Sequence, residues 1–109
     1  MKFNVIPIDK FKKEAKRLIR KFPSLKTELI SLNEILQAQP DFGTSIGNNC
    51  YKIRLAIKSK GQGKSGGARV ITYMINNEKE IYLLTIFDKS EFDSIDDKTL
   101  NTIIKSIKV

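Results

Sequence analysis

An α+β fold is the class this 109-residue sequence predicts: two helices packed on one face of a mostly antiparallel sheet, in the order β-α-α-β-β-β-α. Three observations lead there. Apolar residues recur at the helical period between residues 9 and 39, the period drops to two from Tyr51 onward, and two β-rich runs then flank a short polar turn. The length suits one domain over residues 1–109, with no internal repeat or linker.

The elements follow in order. Phe3 to Ile8 is short and apolar and reads as an edge strand, where Pro7 is tolerated because it has no N–H to donate. Asp9 is placed to cap a helix whose apolar positions are Phe11, Ala15, Leu18, Ile19 and Phe22, and Pro23 stops it. Its other face is Lys12, Lys13, Lys16, Arg17, Arg20 and Lys21. Ser24 is placed to cap a second helix with Leu25, Leu29, Leu32 and Leu36 on one stripe, ending before Pro40. Tyr51, Ile53, Leu55 and Ile57 then alternate with Lys52, Arg54, Ala56 and Lys58, the pattern of a half-buried strand with a basic face. After a glycine-rich loop, Arg69 to Ile75 and Ile81 to Phe87 form a hairpin around Asn76-Asn77-Glu78-Lys79. A short closing helix, capped by Ser94 or Asp96, presents Leu100, Ile103, Ile104 and Ile107.

Composition removes whole classes of chemistry. The chain has no histidine, which excludes imidazole bases, catalytic triads and histidine-built zinc sites. Its single cysteine, Cys50, lies in an apolar alternating run and is assigned to packing. No segment approaches the ~18 apolar residues that cross a bilayer, and the first residues lack a leader-like apolar region, so a cytoplasmic protein without membrane partners is expected.

The net charge of +8 points to an anionic partner, and the charge has a direction along the chain. Residues 1–22 carry eight basic and two acidic groups, and residues 42–77 carry six basic and none acidic. Gly61-Gln-Gly63-Lys64-Ser65 suggests a phosphate loop, yet the required first glycine falls at Lys58 and strand residues follow where a helix must begin. Asp88, Glu91, Asp93, Asp96 and Asp97 lack the spacing of a calcium loop and serve instead to start the last helix. What remains is the set Lys52, Arg54, Lys58, Lys60, Lys64 and Arg69. It is either a solvated strand face with a soluble loop or a surface for single-stranded nucleic acid, with Tyr73 either a core residue or a stacking platform. Basic residues alone can cut RNA, because the 2′-hydroxyl is a built-in nucleophile. The protein need only orient it, assist its deprotonation with a lysine crowded by other cations, and clamp the phosphate with an arginine. No metal or cofactor is called for.

These residues carry a family resemblance. Cys50-Tyr-Lys-Ile-Arg-Leu55, the loop Lys58-Ser-Lys-Gly-Gln-Gly-Lys-Ser-Gly-Gly-Ala-Arg69 with Val-Ile-Thr-Tyr73 behind it, and Tyr82-Leu-Leu-Thr-Ile-Phe-Asp-Lys-Ser-Glu91 resemble the RelE/ParE superfamily of bacterial type II toxins. The glycine-rich insertion resembles HigB-like members. The resemblance implies a RelE-like fold and a toxin that enters the ribosomal A site and cuts mRNA there, leaving a cyclic phosphate. It also implies a cognate antitoxin of helix-turn-helix type that occludes the basic face or wraps the domain, the complex repressing its own operator DNA. Carried over residue by residue, the paired strand cations fall on Lys52 and Arg54, the phosphate-stabilising arginine on Arg69 and the lysine after the last strand on Lys89. Lys58, Lys60 and Lys64 would hold mRNA or ribosomal RNA, with Tyr73 in place of the missing stacker. The sequence departs from the family where a further arginine and a C-terminal aromatic are usual, holding Ser90 and Asp96-Asp97, and Phe87 replaces an expected tyrosine. Two rivals share these features: a gyrase-poisoning toxin of the ParE type, and a non-catalytic RNA-binding module.

Overall fold

The alternation that begins at Tyr51 builds the middle of a five-stranded sheet, and the two helical stripes before it cover one face of that sheet. The computed structural model describes residues 2–58, 66–92 and 94–107. Its elements are β1 (Asn4–Pro7), α1 (Asp9–Lys21), α2 (Leu25–Ala38), β2 (Thr44–Gly47), β3 (Cys50–Leu55), β4 (Ala68–Ile75), β5 (Glu80–Asp88) and α3 (Asp97–Ile107). The strands lie in the order β1-β5-β4-β3-β2, with β1 parallel to β5 and the remaining pairs antiparallel.

The expected order lacked one strand. Thr44–Gly47 is mostly exposed at the sheet edge, so it shows no apolar alternation, and a turn through Asn48 and Asn49, both at positive φ, folds it back onto β3. Asparagine tolerates that backbone better than most residues. The first helix also begins differently from the expectation. Ile8, in extended conformation, takes the N-cap position, while Asp9 lies inside the first turn, where its charge suits the helix dipole. Asp96, by contrast, does cap α3: its Oδ1 accepts the Thr99 N–H at 2.7 Å.

Each face of the sheet has its own apolar cluster. On the first, Phe11, Ala15 and Leu18 of α1 and Leu25, Leu32 and Leu36 of α2 pack with Ile53, Leu55, Val70 and Ile81. Fully burying a leucine such as Leu18 stabilises by about 1.5–3 kcal/mol. On the second, Leu100, Ile103 and Ile104 of α3 pack on Cys50, Ile71, Tyr73, Leu84 and Phe87. Cys50 is wholly buried, and desolvation pushes its thiol up to about 11, consistent with packing and not with reactivity at neutral pH. Beyond Pro7 the β5 edge has no strand partner among the described residues, and Glu14 of α1 fills in. Its Oε1 accepts from the Thr85 hydroxyl at 2.7 Å and from the Ile86 N–H at 3.3 Å.

Candidate nucleic-acid interface

Strand alternation sends Ile53 and Leu55 to the helix-covered face, and therefore Lys52 and Arg54 to the other. The β3–β4 ladder sets Arg54 directly opposite Arg69 and Lys52 opposite Ile71, and the β4–β5 ladder sets Arg69 opposite Phe87. Opposed Cα atoms of an antiparallel pair stand only about 4.5–5.5 Å apart. Arg69 has partners of its own within the protein, and the buried Asp88 stands opposite its neighbour Ala68.

The cations differ in access. Arg54 is exposed and Lys52 half-buried. Because β2 pairs β3 only as far as Lys52, Arg54 stands at an open edge, where it also borders a small cleft of about 100 Å³ with Ser31 and Ile35 of α2. Lys58 and Lys89 are exposed, and the Lys89 N–H donates to the Gly67 carbonyl at 3.0 Å, which ties the turn after β5 to the start of β4. Lys58, Arg54, Arg69 and Lys89 thus share the end of the sheet where β3 leaves, β4 enters and β5 finishes. Lys60 and Lys64 lie outside the described residues.

Two expectations change. Arg69, expected as the phosphate-stabilising arginine, is 3% exposed, and its Nη1 donates to the Ala68 carbonyl at 3.1 Å, so it would act from beneath the surface. Tyr73, offered as a stacking platform, is 5% exposed because α3 lies across that end of the sheet, and of its two readings the core role is the one observed. The glycines also serve a different purpose from ligand approach at one position. A Cβ on Gly67 would lie 1.9 Å from the Leu55 carbonyl oxygen, so this glycine lets β4 enter against its own neighbour strand.

Sequence reasoning missed Phe92. It is the one aromatic in the exposed class among the described residues, 60% accessible, held edge-on to Phe87 with ring centroids 6.2 Å apart. It stands at a cleft of about 360 Å³ bordered by Thr85, Phe87, Ile95 and Thr99. The available signal was a phenylalanine set among the acidic residues Glu91 and Asp93, where no apolar period accounts for it. An ion pair between Arg17 and Glu91, 2.8 Å, holds the segment before Phe92 against α1.

Comparison with known proteins agrees with this architecture. Residues 9–108 match the family model described as the RelE toxin of the RelE/RelB toxin–antitoxin system. A double arginine-to-alanine variant of the E. coli toxin RelE in the free state is similar at 18% identity and a TM-score of 0.58, over 85% of this chain and 90% of that one. The toxin in the intact E. coli RelBE toxin–antitoxin complex matches at 18% identity and 0.50, over 79% and 95%. The isolated E. coli RelE toxin matches at 17% and 0.50, over 96% and 98%. At these identities the structural likeness establishes the α+β fold.

Proposed function

The chain belongs to the RelE toxin family, and on that premise we propose that it is a ribosome-dependent endoribonuclease that cuts mRNA in the A site by attack of the RNA's own 2′-hydroxyl. The observation that carries this reading is Arg54 directly opposite Arg69 on the open corner of the sheet, with Lys52 one alternation away. A phosphate of the RNA binds at that corner. Arg54 and Lys52 are the cations it meets, and Arg69 acts from below, where a low local dielectric strengthens its pull on the charge that develops in the transition state. Lys58 and Lys89 flank the same end of the strands and hold the neighbouring phosphates. A base adjacent to the cut stacks on Phe92, the accessible aromatic, in place of Tyr73.

A toxin of this kind needs a cognate antitoxin, as the RelBE complex contains, and the cationic corner is the surface such a partner would have to cover. The test is induced expression of the chain alone with 5′-end mapping of cellular mRNA, alongside the Lys52→Ala/Arg54→Ala and Arg69→Ala proteins. Growth arrest with codon-phased cuts that vanish in the double variant is expected. Arg69→Ala should lower cleavage by ~10²- to 10³-fold, as the loss of a buried transition-state donor does elsewhere. Arrest with a DNA-damage response and no mRNA cuts would replace this reading with gyrase poisoning. Undiminished cleavage in a folded Arg69→Ala protein would remove that residue from the mechanism.

A further inference from the structure

The cleft beside Phe92 has a charged rim, and the reading of the sheet corner uses only its aromatic wall. It opens where α1, the end of β5 and the start of α3 meet, with a volume of about 360 Å³. Phe87, Phe92 and Ile95 give it an apolar lining, and its rim bears the carboxylates of Glu14 and Asp96 and the ammonium of Lys10. Lys10 pairs with Glu14 at 2.6 Å and also donates to the Thr85 hydroxyl at 3.3 Å. Asp96 accepts the Thr99 N–H through Oδ1 at 2.7 Å and has no ion-pair partner among the described residues. The rim is therefore richer in acceptors than in donors: two carboxylates stand there against one ammonium that is already engaged.

We infer that this cleft selects among RNA bases, taking one that carries an exocyclic amino group and rejecting uracil, with Glu14 and Asp96 as the residues that discriminate. The inference rests on the reading of Phe92 as the stacking surface for RNA held at the corner. An apolar slot with an acceptor-rich rim fits a flat, neutral group that donates. Adenine, cytosine and guanine each present an amino group with two N–H donors, and a carboxylate accepts from such a group. Uracil presents two carbonyl oxygens around a single ring N–H, and those oxygens would face carboxylate oxygens with no proton to share. A phosphate is kept out of the slot by Asp96, and a guanidinium or ammonium from a protein would meet the Lys10 ammonium at the rim. The position of the cleft favours a base as well. The ladders set Arg54, Arg69 and Phe87 side by side on three neighbouring strands, and Phe92 lies edge-on to Phe87. The cleft is thus the next step outward from the two arginines, and a strand whose phosphate sits at the corner can lay an adjoining base into it.

The experiment measures binding of the full chain, at one fixed salt concentration, to short uridine RNAs that differ only in a central A, C, G or U, with an oligo-arginine peptide as a further probe. Each amino-bearing base should bind about 10-fold more tightly than uracil, the discrimination expected of a charge-assisted bond to a base edge. Asp96→Asn keeps a side-chain oxygen for the α3 cap and gains an amide that donates to a carbonyl, so it should cut the preference to about 3-fold or less. Glu14→Gln should act in the same direction, and the two changes together should abolish the preference. Phe92→Ala should weaken binding of the amino-bearing probes. A purely structural role for the two carboxylates would instead lower affinity for all four probes together and leave their ratio unchanged, which would overturn the assignment. So would equal affinity of the parent protein for the four probes, or oligo-arginine binding that depends on Asp96 as strongly as base selection does. Absence of mRNA cuts in cells with the base preference intact would count against the proposed nuclease and leave this cleft standing.

Discussion

The two faces of the sheet draw on the same strands and come to opposite ends. Ile53, Leu55, Val70 and Ile81 turn toward α1 and α2 and disappear into one apolar cluster. Their alternates, Cys50, Ile71 and Tyr73, are covered by the single helix α3, which leaves Lys52 and Arg54 beyond its reach and Arg69 beneath the surface. The difference lies in helix count: two helices of thirteen and fourteen residues lie over one face, and one of eleven leaves a corner of the other open. Charge that would be intolerable under α1 and α2 stands at that corner, so the exposed strand cations are confined to the face that α3 covers in part.

Gly67→Ala is the change expected to break this division most severely. Its new Cβ would meet the Leu55 carbonyl oxygen at 1.9 Å, which forces β4 away from β3 at the end where Arg69 opposes Arg54. A cost of about 1–3 kcal/mol follows from forced overpacking. Urea unfolding should show a lower midpoint, and RNA binding at the corner should weaken at temperatures where the protein is still folded. An unchanged midpoint would mean that the strands separate freely there and that the arginine pair is not held in register.

A smaller effect is expected at the helix that covers the second face. Thr99 bonds to Asp96, through its side chain first and its backbone second, and holds the Asp96 carboxyl below its ordinary 3.8. A carboxylate whose folded value is depressed contributes stability above its unfolded value, and that contribution is lost as the pH falls through the folded one. Asp96→Ala should therefore lower the melting temperature at neutral pH, and the gap between the two proteins should close in acid below about pH 4. A gap that persists there would show that the Asp96 side chain steadies α3 independently of its charge, and the absence of a gap at neutral pH would show that apolar contacts alone anchor the helix. Near-ultraviolet spectra at Tyr73, beneath α3, would report the same loosening.

Much of this division was legible in the sequence, and the illegible parts have physical reasons. The helical stripes of α1 and α2 and the alternation of β3 follow from periodicity, because each element buries one face only. Strand β2 escaped notice because an exposed edge strand has no buried face to pattern. The set Lys52, Arg54 and Arg69 was visible as charge, and the ladder then brought Arg54 and Arg69 opposite one another. Burial was not visible. Arg69 and Tyr73 differ from Arg54 only in what lies over them, and that depends on where α3 crosses the sheet, which no local pattern encodes. Phe92 was overlooked for the converse reason, since periodicity finds aromatics that pack and is silent on one that does not.

The smallest expected effect belongs to the filled face. Thr72 shares the alternation of Val70 and Met74, is fully buried, and its Oγ1 finds no hydrogen-bond partner among the described residues. A buried hydroxyl left unpaired forfeits its bonds to water without replacement, and valine has nearly the same shape without that polar group. Thr72→Val should therefore be neutral or stabilising, by up to about 1 kcal/mol, with the proposed RNA binding and cleavage unaltered because the residue points away from the cationic corner. Denaturant unfolding of the two proteins under identical conditions gives the comparison. A clear loss of stability would mean that the Thr72 hydroxyl is bonded after all, and that a polar requirement extends into the face that α1 and α2 otherwise fill with apolar side chains.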